Sequence, residues 1–97
     1  MNHILITFAD GEQFAIPVKV LAEDIAKYFA RHHRPHEEIY DAEFNYYRNN
    51  PEYLIPWATD MPWAKVRRLL GFRGISEAVI RGYKKEWNNA YKEIKDL

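Results

Sequence analysis

Ninety-seven residues make one domain on length alone, and 47% hydrophobic with 15% aromatic content exceeds what a disordered chain carries. The absence of cysteine excludes disulfides and thiolate metal sites, and it favours a reducing, cytoplasmic setting. The formal net charge is zero, yet positions 1–60 hold five Lys/Arg against ten Asp/Glu, and positions 61–97 hold nine against four. The two parts therefore carry −5 and +5, a polarity that suits an oriented partner or mutual attraction of the halves. Met1 to Ile6 has no basic n-region and Asp10 follows too soon for a signal peptide; no apolar run approaches a membrane span.

His3 to Ala9 and Glu12 to Pro17 read as two short strands around Asp10-Gly11, a pair suited to the positive φ angles of a type I′ hairpin turn. Pro17 cannot donate to a ladder and ends the second strand or sits on an edge. A lone hairpin is marginal in water, so a helix is needed over one face. Val18 to about His33 supplies it, with Val18, Leu21, Ile25 and Phe29 at helical spacing. Pro35 stops that helix, and His36 to Asn49 forms a second one, acidic on one side and aromatic on the other. Glu52 to Thr59 reads as a short helical turn interrupted by Pro56. Asp60 is the expected N-cap of a helix over Pro62 to Leu70, with Trp63, Val66, Leu69 and Leu70 inward. Gly71-Phe72-Arg73-Gly74 breaks it, and Ser76 caps a final long helix running to Asp96, its stripe Val79, Ile80, Tyr83, Trp87, Ala90, Tyr91 and Ile94. Gly82 inside that helix points to close packing. The expected fold is one α+β domain, residues 1–97, with a hairpin over 3–17 and four to five helices over 18–97.

His32 and His36 stand four apart, the spacing at which two helical imidazoles share a metal, but Pro35 lies between them and Arg34 adds a repelling charge. A polar helix end facing free carbonyls is the better account of them, and no metal or cofactor is expected. Glu37, Glu38, Asp41 and Glu43 lie in a strongly polar helix where solvated carboxylates are the rule, so catalysis is not expected there. No nucleophile elbow or phosphate loop occurs, and the chain is not expected to be an enzyme.

The C-terminal third carries more. Trp63–Leu70, a glycine-containing break and Ser76 onward resemble helix–turn–helix spacing, and Arg67, Arg68, Arg73, Arg81, Lys84 and Lys85 are suited to neutralising phosphates. Against a recognition helix stands Glu77, at the position that would meet bases. The final helix also has a wider apolar stripe than one seam needs, which leaves part of it for a protein partner or a second copy of the chain. For a protein partner the expected contacts are Arg73, Arg81, Lys84, Trp87 and Tyr91: arginine by bidentate contacts, aromatics by buried area. Interaction with a host or phage protein is the leading expectation and nucleic-acid binding the alternative.

Thr7-Phe8-Ala9-Asp10-Gly11, Ile16-Pro17, Val20-Leu21-Ala22, Tyr28-Phe29-Ala30, Glu43-Phe44-Asn45-Tyr46, Tyr53-Leu54-Ile55, Trp57-Ala58 and Met61-Pro62-Trp63, in that order, give the chain a family look. The series resembles small uncharacterised proteins encoded by phages, prophages and plasmids, which open with a similar hairpin ending in proline and close on a tryptophan-containing segment. The likeness covers about residues 4–66, and beyond Val66 a basic, aromatic tail replaces the short acidic ends of those proteins. The resemblance implies a mobile-element origin and supplies no catalytic residue.

Overall fold

The computed structural model describes residues 1–97. Strand β1 (Asn2–Thr7) turns into β2 (Gln13–Pro17), and helix α1 (Val18–His32) follows directly, its N-cap at Pro17. Pro35 separates α1 from α2 (His36–Asn49), as its restriction of the preceding backbone requires. A 3-10 turn over Pro51–Tyr53 leads into α3 (Leu54–Thr59), then come α4 (Trp63–Leu70) and α5 (Glu77–Glu86). A second 3-10 turn, Trp87–Asn89, ends the helical part, and strand β3 (Tyr91–Asp96) closes the fold.

β3 is the main departure from the sequence reading, which carries the last helix on to Asp96. Lys92, Glu93 and Lys95 are good helix formers, and local propensity favours that reading. Tertiary pairing overrides it. Ile4 and Ile6 are buried on the core face and Leu5 on the other, where flanking strands on both edges of β1 shield it. β2 fills one side and β3 the other, giving an antiparallel sheet of order β2-β1-β3 with Ile4 opposite both Ile16 and Ile94. Asn88 and Asn89, poor helix formers, sit where the chain leaves the helix, and Ala90 is already extended.

Two smaller corrections follow from backbone geometry. Gly11 alone has positive φ in the β1–β2 connection, and its N–H bonds the Phe8 carbonyl at 2.9 Å. The hairpin thus uses a three-residue loop, Ala9-Asp10-Gly11, rather than a two-residue type I′ turn. α4 starts after Pro62 without a side-chain cap, whereas Asp60 closes α3.

All helices share one face of the sheet. Ile4, Ile6, Phe8 and Ile16 point into a cluster with Leu21, Leu54, Val66, Phe72, Ile80, Tyr83 and Trp87. The opposite face, with His3, Leu5, Thr7, Ala15, Tyr91, Glu93 and Lys95, is outside that cluster. Within the core the aromatics interlock. Phe8 stacks on Tyr83 at 4.0 Å, Phe14 meets Phe72 edge-on at 5.1 Å, and Trp63 touches both Phe72 and Trp87. Phe72 achieves this from φ +49, a conformation bulky side chains avoid, and its burial in the cluster offsets the strain. α2, by contrast, has no fully buried residue; it lies along α1 and rests on the half-buried Phe44 and Tyr47.

Candidate functional site

The site is built where the hairpin loop meets the α4–α5 connection. Gly71 ends α4 with φ +76, and Phe72-Arg73-Gly74-Ile75 forms a turn closed by the Ile75 N–H to the Phe72 carbonyl at 3.3 Å. Gly74 has φ +75 and Arg73 does not have positive φ, the pattern of a type II turn. Ser76 then caps α5, its hydroxyl accepting from the Val79 N–H at 3.3 Å. With Phe72 anchored inward, Arg73 is left exposed at the tip of the turn.

Across from this turn lies the hairpin loop, fixed by Asp10. One Asp10 oxygen accepts the Tyr83 hydroxyl at 2.6 Å and the other accepts the Glu12 N–H at 2.9 Å. These donors, Tyr83 first, hold the Asp10 carboxyl below its ordinary range. Burial, and then the bond to Asp10, pushes the Tyr83 hydroxyl up to about 12. Between loop and turn runs an open groove of about 460 Å³. Phe14, Ile75 and Val79 supply its apolar surface, with Val79 41% exposed. Asp10 and Glu12 stand on one rim and Arg73 on the other.

The basic residues singled out from the sequence do not form one surface. Arg67 is paired with Glu77, with contacts of 2.5 and 3.2 Å, and this bond raises the guanidinium and lowers the Glu77 carboxyl from their ordinary values. Arg68 shares a groove with Glu23 and Asp24, while Arg73 faces Asp10 and Glu12. Arg81, Lys84 and Lys85 remain as an exposed strip along α5. Trp87 is not on that strip. It is 3% exposed, its indole N–H donates to the Ala58 carbonyl at 2.9 Å, and its ring packs beside Phe8 and Trp63, so it is a core residue rather than a contact residue. Tyr91 is 62% exposed but lies on β3, on the open sheet face, and not on a helix. Gly82 is exposed and nothing lies within 4 Å of the position a Cβ would take, so close packing does not explain it.

His32 and His36 fall on opposite sides of the α1–α2 connection, and the His33 ring nitrogen meets the Phe29 carbonyl at 2.9 Å, at the end of α1. No group of three or more His, Asp or Glu side chains is placed to hold a metal ion. A second polar junction, unmarked in the sequence, ties the helices together: Asp24 on α1 accepts the Trp57 indole N–H at 2.9 Å and pairs with Lys65 of α4. No helix is long and apolar enough to cross a membrane. Comparison with protein-family models, with curated proteins and with solved structures finds no match to this chain.

Proposed function

We propose that the chain is a non-enzymatic binding protein of a mobile genetic element, and that it acts by capturing another protein in the groove between the hairpin loop and the α4–α5 turn. One observation carries this reading: the groove combines exposed apolar surface at Val79 and a half-buried Ile75 with acids on one rim and Arg73 on the other. Such a surface fits a protein segment that presents an apolar side chain between a basic and an acidic one. Arg81 and Lys84 lie on the flank of α5 away from Val79, so of the five contacts expected from the sequence Arg73 is the one at the groove. The mobile-element origin rests on the resemblance of residues 4–66.

Nucleic-acid binding is the second reading, favoured by the strip Arg81, Lys84 and Lys85, whose one carboxylate neighbour on that face, Glu77, is held by Arg67. Three phosphates on duplex DNA give a log–log salt slope of about −2.7, a weak footprint. The two are separated by capture from nuclease-treated host extract with the wild-type chain, Arg73→Glu and Val79→Lys. The expected result is one protein partner retained after nuclease and lost with both folded variants. Capture unchanged by either variant overturns the groove as the site, and an eluate emptied by nuclease transfers the function to nucleic acid.

A further inference from the structure

β3 lies at the edge of the sheet, and its outward backbone groups have no backbone partner within the chain. The Leu97 N–H bonds the Met1 carbonyl at 3.0 Å, and ladder alternation then turns Tyr91, Glu93 and Lys95 toward β1. Lys92, Ile94 and Asp96 send their N–H and C=O groups outward. An exposed edge of this kind is a template for another strand.

We propose that this edge pairs antiparallel with the same edge of a second copy, centred on Ile94, to make a continuous six-stranded sheet. The charge order around Ile94 is self-complementary. In that register Lys92 faces Asp96 of the partner subunit, Glu93 faces Lys95 of the partner subunit, and the two-fold axis doubles each pair. Ile94, half-buried at the rim of the core, meets its own copy. The register centred on Glu93 opposes two glutamates and the one centred on Lys95 opposes two lysines, so charge selects among the registers the pleat allows. Lys92 supplies an independent argument. Its ammonium bonds only the Trp87 and Ala90 carbonyls, at 2.6 and 3.2 Å, and lies 4.5 Å from the Trp87 ring centre, with no carboxylate at ion-pair distance. Asp96 gives one oxygen to the Met1 amine at 2.5 Å, which leaves the other for the partner's Lys92.

The test is sedimentation equilibrium of the wild type, Glu93→Lys, Lys95→Glu and the double swap, with amide exchange at low and high protein concentration. Glu93 and Lys95 are on the open sheet face, and circular dichroism checks that each variant is folded. The wild type is expected to dimerise, each single change to weaken association by about tenfold, and the double swap to restore it. The outward amides of Lys92, Ile94 and Asp96 are expected to slow as concentration rises. A wild type that stays monomeric at every concentration, single changes without effect, or outward amides that exchange equally fast in the associated form each overturn the proposal.

Discussion

The α1–α2 arm and the C-terminal part from α4 onward are built on different principles. The arm is two long helices packed mainly on each other, with contacts close in sequence. The C-terminal part is a set of short pieces whose side chains reach across the whole chain: Tyr83 to Asp10, Trp87 to Ala58, Ile94 to Ile4. Periodicity specifies the first kind of region. The second depends on where distant residues happen to meet.

The largest expected effect breaks the C-terminal part at its centre. Trp87→Ala removes a buried indole and its bond to the Ala58 carbonyl, which keeps the Met61 N–H at 3.2 Å, and the expected cost is about 3–5 kcal/mol in a denaturant titration. Phe44→Ala, on the half-buried underside of α2, is expected to cost only about 1–2 kcal/mol in the same measurement. Next in size is the joint between the two regions. Asp24→Ala strands the Trp57 N–H and the Lys65 ammonium, and a loss of about 1–3 kcal/mol is expected by thermal unfolding.

Smaller still is the Asp10–Tyr83 contact, which has a pH signature. Tyr83 ionises near 12 in the folded chain against about 10 when unfolded, so its contribution is complete below about pH 10 and disappears as pH rises toward 12. Asp10 is shifted the other way: its contribution is present above the ordinary carboxylate range and disappears as pH falls through the folded value. Tyr83→Phe is expected to lower the melting temperature by a few degrees at neutral pH and to flatten the alkaline limb of the profile. The last prediction is a gain. Gly82→Ala, at an exposed helical site with open space around it, is expected to stabilise α5 by about 0.5–1 kcal/mol.

The two regions were unequally legible for the same reason. Pro35 and Asn49-Asn50-Pro51 mark the bounds of α2, the Asp-Gly pair marks the hairpin, and Ser76 marks the start of α5, because each is a local chemical necessity. β3 is hidden because Tyr91 and Ile94 stand three apart, a helical spacing, and no apolar alternation marks Tyr-Lys-Glu-Ile-Lys-Asp as a strand. The deciding fact, a second bare edge on β1, lies some ninety positions away. The unbroken Ile4-Leu5-Ile6 run was the available clue, since an edge strand seldom buries three residues in succession. The candidate groove was less visible again. Arg73 stands out in the sequence by its charge and Asp10 by its turn, but nothing local connects them, and Trp87 reads equally as core or surface anchor because aromatic residues serve both cores and interfaces.

The position of β3 also orders events in time. β1 is synthesised well before β3, its second neighbour, so the ladder that completes the sheet closes a loop from Thr7 to Tyr91. The arm can form helical turns as soon as it is made, whereas Leu5 and the β1 edge stay uncovered until residues 91–96 arrive. Loop closure of that length is slow compared with helix formation, so the β1 edge is the part of the sheet left uncovered longest while folding is under way.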